Sequence, residues 1–426
     1  MSVVNSLSLH RKLTLRRLDF KTKPNLHSKI RTKNKQKADI KAVFGIDTDY
    51  NHEHTLKHSL CVSDLARTVI SYYVEPTAIV RENWGKKYTQ VSISIFGKPN
   101  SSIDKNLLAN LLYEVVNHQP QSKISHYYAF QLNKFINNLN IKQLEPVQAK
   151  KINEYSHASE VTKAYLYANY AKEFAIFNKA SNKIQPKELQ KIFSKCLKSI
   201  TKKDKNWASW KVNIQKNSAV ISVEPKDYLI NIGENRRPLT RLEAKGIFAH
   251  EFLAHVQRSV NGKLLDNQLS LGLPEYLNAE EGLGVWFEYA ITGIIPQKIT
   301  DRYLDIALAL GEIGNRQITK KELVRFCTLR EQFRESLDSD YINQKHITAK
   351  VNAHVNRIYR GKKGNDFTGV FSKDVVYLKG FIRVANFMKA QLGRQISINN
   401  TLDFVLSGKF DPTNLRHVAF VTALKE

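Results

Sequence analysis

Gly246-Ile247-Phe248-Ala249-His250-Glu251-Phe252-Leu253-Ala254-His255-Val256-Gln257-Arg258 is the stretch whose reading decides the fold. Its two imidazoles suit zinc, and a second segment, Pro274-Glu275-Tyr276-Leu277-Asn278-Ala279-Glu280-Glu281-Gly282-Leu283-Gly284, offers a further carboxylate. A catalytic zinc takes three such ligands and keeps an open position for water, whose acidity it raises until a nucleophile forms near neutral pH. Glu251, adjacent to a ligand, is placed to accept the water's proton as general base and pass it to the leaving amine. The histidines are five residues apart. On a regular α-helix, five steps of about 100° leave two side chains roughly 140° apart. Chelation therefore requires a π-type bulge, whose i→i+5 bonding brings both imidazoles to one face. Spacing alone leaves open the alternative that His250 faces a polar groove and His255 is a hydrogen-bonded core residue.

Outward from this stretch, Thr240–Val260 reads as one helix, with Thr240 as N-cap, Glu243 closing a capping box, and a stop near Asn261-Gly262. Two β-type runs, SAVISVEP at 218–225 and DYLINIGE at 227–234, flank the turn-like Pro225-Lys226-Asp227 and predict a hairpin. Its second strand, Tyr228–Gly233, could lend an open edge to an extended substrate. Downstream, helices are expected at Pro274–Thr292, with Pro274 in the first turn, and at Asp301–Glu312, Lys320–Ser336, Ile347–Tyr359 and Lys373–Leu392. Upstream, Thr89–Phe96 alternates like a short strand, whereas Leu107–Val116, His126–Asn137, Val161–Asn178 and Glu188–Ile200 carry apolar residues at helical spacing. The class expected is α+β and mostly helical: a flexible basic arm over 1–41, a mainly helical lobe over 42–205, and a metallopeptidase lobe over 206–426.

A chain of 426 residues exceeds the roughly 250–300 at which single cores stop growing, so at least two lobes are expected. Its 42% hydrophobic content excludes global disorder. The net charge of +27 favours polyanionic partners such as nucleic acid, an anionic membrane face or an acidic protein tail. Much of it lies between Arg11 and Lys41, read as a solvated arm or a transit peptide; the apolar core of a secretory signal is missing. No stretch approaches the roughly 18 apolar residues of a membrane span, so no membrane association is expected. Cys61, Cys196 and Cys327 form neither a disulfide framework nor a CxxC pair, which fits a reducing, cytoplasmic setting with each thiol in a core. His54 and His58 lack a third ligand and read as a solvated turn.

The residues HEFLAHVQRSVNG at 250–262 and AEEGLG at 279–284 resemble the microtubule-associated tyrosine carboxypeptidase family and its bacterial relatives, described by a QEGLA motif. The resemblance extends over roughly Trp210–Met388 and takes in Arg357-Ile358-Tyr359-Arg360-Gly361 and Phe371-Ser372-Lys373-Asp374-Val375-Val376-Tyr377-Leu378-Lys379-Gly380. It implies a zincin-like lobe in which His250, His255 and Glu281 hold one zinc ion per chain and Glu251 is the catalytic base. It further implies attack by zinc-bound water at a peptide or protein C-terminus, possession of an acidic tail by the substrate being one use for the basic surface, with release of Tyr or Phe. Glu280 stands where the family has Gln and Gly284 where it has Ala, and the doublet keeps Glu280 open as the third ligand. Glu288, two turns beyond Glu281, is either a proton acceptor for a ligand imidazole or a solvated carboxylate. Arg357 and Arg360 are candidates to hold the substrate's terminal carboxylate, with Lys373 and Tyr377 as candidates to steady the oxyanion. The rival readings are an endo- or aminopeptidase on the same zinc core, and a nucleic-acid-binding protein that uses its basic surface; no specific nucleic-acid motif is visible.

Overall fold

The computed structural model describes residues 88–99, 101–117, 122–139, 152–313, 316–339, 341–359 and 369–425. The basic arm, His54, His58, Cys61, Arg360 and the loop at 361–364 lie outside these residues. The described chain is mostly helical, with one three-stranded sheet, as an α+β class requires. It divides into two units, one holding Tyr155–Ile294 and Gly380–Glu426, the other Thr77–Glu154 and Ile295–Lys379. Among the described residues, no helix is long and apolar enough to cross a membrane.

The sheet belongs to the first unit. Strands β1 (Lys211–Gln215), β2 (Ile221–Glu224) and β3 (Leu229–Gly233) lie in the order β1-β3-β2. The expected hairpin forms between β2 and β3, which are antiparallel, and β1 runs parallel to β3. This corrects the expectation of an open edge on Tyr228–Gly233. Because Val212 and Ile214 make a further strand, β3 is central and both its edges are paired.

After the sheet, the Thr240 side chain accepts from the Glu243 N–H and the Glu243 carboxylate accepts from the Thr240 N–H, so the expected capping box starts a helix over Arg241–Phe248. Helical winding continues through a π segment, Ala249–Val256, into an α-helix over Gln257–Leu265. It does not stop at Gly262. A Cβ there would fall 2.3 Å from the Leu269 carbonyl oxygen, so this glycine permits a close backbone crossing rather than ending the helix. One face of the segment is anchored by aromatics. Phe248 packs 5.6, 5.7 and 6.2 Å from Phe174, Phe177 and Phe193, and Phe252 lies 5.1 Å from Phe193 and 6.3 Å from Trp207, centroid to centroid. Each buried phenylalanine contributes on the order of 2–3 kcal/mol. The cluster therefore fixes the rotation of the histidine segment.

The other face of that segment packs on the helix Leu277–Thr292, which Gly293 ends in the left-handed conformation. That helix does not begin at Pro274, because Glu275 sits at φ 65°, outside any helical start. The expected helix Val161–Asn178 is two helices, Ser156–Asn169 and Ala171–Asn178, broken at Tyr170. Helices over Ile398–Val405 and Leu415–Lys425 complete the unit.

In the second unit the strand expected at Thr89–Phe96 is instead a helix, Tyr88–Phe96. Ser92 and Phe96, one turn apart, are the buried pair: Ser92 Oγ accepts from the Ser372 N–H and Phe96 stacks edge-on with Phe371. Tertiary contact at helical spacing thus outweighs the alternation of Val91, Ile93 and Ile95. Helices Ser101–Asn117, Lys123–Asn137, Gln297–Leu310, Lys320–Asp338 and Gln344–Ile358 agree with the sequence reading to within a turn or two.

Candidate metal centre

The π segment does what the five-residue spacing demanded. The Gln257 N–H donates to the Phe252 carbonyl five residues back, and His250 and His255 come to one face with ring centroids 5.0 Å apart. Glu281, from the facing helix, brings Oε2 to 3.8 Å from Nε2 of both histidines. One donor atom from each of these three residues lies within 4.8 Å of the others.

The remaining ring nitrogens are also committed. His255 Nδ1 is 2.9 Å from Glu280 Oε1, and His250 Nδ1 is 3.3 Å from Glu288 Oε2. Two carboxylates thereby hold both imidazoles as Nδ1–H donors and turn both Nε2 lone pairs toward Glu281. Burial opposes a charge on His250, but hydrogen bonds with Glu281 and Glu288 and the charge of Glu251 outweigh it and raise the pKa to about 10. The pocket attracts positive charge at the point where the donor atoms meet.

Glu280 faces away from that point. It is 1% exposed and also accepts from Arg258 Nη1 at 2.5 Å and Lys409 Nζ at 3.0 Å. Burial would raise its pKa, yet Lys409 and Arg258 hold it well below the usual carboxylate range. Arg258 then ties the site to the chain's C-terminal part, donating from Nε to the Val405 and Gly408 carbonyls and from Nη2 to that of Phe410. Nothing near Glu280 in sequence announces Lys409, and Arg258 carries no local motif; only tertiary folding joins them.

Two glycines make room. A Cβ at Gly284 would lie 2.5 Å from His250 Nε2, and one at Gly282 would lie 2.2 Å from the Gly380 carbonyl carbon. The spacing rule finds neither contact, although a Gly-X-Gly on a helix is its visible trace.

The sequence candidates Arg357, Lys373 and Tyr377 belong to the second unit. Arg357 donates from Nε and Nη2 to Asp374 at 2.5 and 2.8 Å, while Lys373 and Tyr377 are half-buried. In that unit Asp305, Cys327 and His354 form another cluster of metal-type donors. Arg330 already occupies both Asp305 oxygens at 2.7 Å, and His354 Nε2 is 2.5 Å from Oδ2, which makes this a buried ion-pair network. Cys196 and Cys327 are buried thiols, as expected of core cysteines.

No curated protein matches the chain. The sequence profile described as microtubule-associated tyrosine carboxypeptidase matches residues 98–425, most of the chain and all of the centre just described, and the chain belongs to that peptidase family.

Proposed function

We propose that this protein is a zinc-dependent carboxypeptidase that hydrolyses the last peptide bond of a peptide or protein C-terminus and releases an aromatic residue, Tyr or Phe. The observation that carries the reading is the convergence of His250 Nε2, His255 Nε2 and Glu281 Oε2, with both Nδ1 atoms engaged by carboxylates. Two imidazoles and one carboxylate are a zinc donor set, and the missing Cβ at Gly284 leaves space beside His250 Nε2. One zinc ion held there would acidify a water molecule and polarise the scissile carbonyl. Glu251, half-buried and next in the chain to His250, takes the proton of the attacking water. It delivers that proton to the departing nitrogen, so that the C–N bond breaks with a new carboxyl on one product and an amine on the other. Glu280 and Glu288 keep the imidazoles oriented throughout.

The three-stranded sheet followed by the histidine segment and the Glu281 helix supports a zincin-like catalytic unit. In this reading Tyr377 donates to the oxyanion, and Arg357, Arg360 and Lys373 contribute positive charge for an anionic substrate. Arg357 does so with its Nε and Nη2 already given to Asp374. The +27 charge supports an acidic protein tail as substrate.

The test is elemental analysis of the wild type beside His255→Ala, each then offered peptides ending in Tyr, in Phe, in Glu and in an amide. One zinc per chain, lost in the variant, with release of a free C-terminal aromatic residue alone, is expected. Wild type that takes up no zinc on reconstitution and cleaves nothing refutes the enzyme reading, and equal cleavage of the amide favours an endopeptidase.

A further inference from the structure

Three clusters other than the metal ligands invite a role: the Asp305 network, the cations around Asp374, and a single arginine beside Glu251. The first is closed by Arg330, and the second has its aspartate held by Arg357. The third is Arg236. It lies on the turn between β3 and the capping box, a turn pinned by hydrogen bonds from the Gly233 N–H to the Val220 carbonyl and from the Asn235 N–H to the Ser218 carbonyl, each 2.8 Å. A Cβ at Gly233 would lie 2.5 Å from the Ser218 carbonyl oxygen, so the turn has no slack on that side.

Arg237, the next residue, gives its guanidinium to Glu243 at 2.5 Å. Arg236 makes one long hydrogen bond, Nη1 to the Ala219 carbonyl at 3.5 Å, and its buried Nε has no partner. Among the described residues it forms no ion pair. Burial is the main influence on this guanidinium, opposed by charge, with Glu251 first among the carboxylates that act on it and Glu288 also among them. An unpaired, partly buried guanidinium is costly in a free protein, and a fork of this kind matches a carboxylate at two points.

The reading of the centre as a carboxypeptidase supplies the carboxylate. The terminal carboxylate lies one residue beyond the scissile bond, about 3.8 Å in Cα spacing, so its cation must stand close to the general base. It must also outweigh Glu251, Glu281 and Glu288, which repel an anion. We propose that Arg236 binds the α-carboxylate of the substrate's last residue and so restricts the enzyme to free C-termini. The inference rests on the carboxypeptidase reading.

The experiment measures binding by calorimetry, with zinc-reconstituted full-length Glu251→Gln protein so that nothing turns over. The probes are a peptide ending in Tyr with a free carboxylate and the same peptide as C-terminal amide. The parent is expected to prefer the acid by about 30-fold, in line with a charge-assisted bidentate pair. Adding Arg236→Ala is expected to bring the two affinities near parity, Arg236→Lys to keep part of the preference, and Arg357→Ala to leave it in place. Unchanged preference in Arg236→Ala, or its loss in Arg357→Ala instead, overturns the inference while the carboxypeptidase reading stands. A parent without acid preference removes both. Thermal melting of each variant identifies any misfolded one, and Arg236→Lys then carries the comparison.

Discussion

Replacing Glu280 with Gln tests how the centre is held together. The carboxylate is buried and serves three donors, His255 Nδ1 at 2.9 Å, Arg258 Nη1 at 2.5 Å and Lys409 Nζ at 3.0 Å. An amide offers one acceptor oxygen, and its NH2 must face a cation or the imidazole N–H. Arg258 and Lys409 then lose the anion that outweighed their burial. Removing one partner of a buried ion pair costs about 3–5 kcal/mol. Freeing His255 Nδ1 should lower zinc affinity by about 10- to 100-fold. Urea unfolding of the chelator-treated protein reads the first loss, and competition against a fluorescent zinc indicator reads the second. Lys409→Met added to Glu280→Gln should recover part of the stability, since it removes a cation left without a counter-charge. The interaction energy should exceed about 1 kcal/mol. A Glu280→Gln protein within about 0.5 kcal/mol of wild type, or strict additivity with Lys409→Met, refutes the reasoning. The family resemblance has Gln at this position, so Lys409 is what makes a carboxylate acceptable here.

Other outcomes follow from the same contacts. Glu288→Ala frees His250 Nδ1 and is expected to cut zinc affinity by about 10- to 100-fold in the same competition assay, with little change in the urea midpoint of the metal-free protein. Gly282→Ala sets a Cβ 2.2 Å from backbone at Gly380, so the two helices must part, costing about 1–3 kcal/mol in urea unfolding. His417 is buried, and burial depresses its pKa to about 4. The unfolded chain takes up a proton near pH 6.5, which the folded one refuses, so this group's contribution is complete above about pH 6.5 and is lost as pH falls toward 4. Urea midpoints at pH 7 and pH 5 should draw closer together in His417→Asn.

Much of the centre was legible because its signals are local. Thr240 and Glu243 are three residues apart and cap each other, and the five-residue histidine spacing required an i→i+5 turn that Ala249–Val256 supplies. The choice between Glu280 and Glu281 could not be made locally, because adjacent residues on a helix point about 100° apart and only the partner helix decides which one meets the histidines. Glu281 reaches both Nε2 atoms, while Glu280 turns toward Arg258 and Lys409. The helix at Tyr88–Phe96 misled for a related reason. Alternating Val91, Ile93 and Ile95 satisfy a strand template, and burial of Ser92 and Phe96 against Ser372 and Phe371 belongs to residues nearly three hundred positions away. Strand β1 escaped notice because five residues with two apolar ones are too short a run to stand out before a partner is known.

The π segment shows how a locally unfavourable turn is sustained. Its extra residue per turn is set between two ordinary helical stretches, so the inserted geometry has to be enforced from both sides. On one side Phe248 and Phe252 are fully buried among Phe174, Phe177, Phe193 and Trp207, which fixes the rotation of the helix. On the other, Glu280 and Glu288 take the two Nδ1 atoms, which fixes the imidazoles. If the aromatic side alone held the bulge, Glu280→Gln would leave the His250–His255 face intact and affect only charge. If the carboxylates share that work, the variant's loss of zinc affinity should be accompanied by faster hydrogen exchange at the Phe252 and Gln257 amides than at Val260, one turn further on.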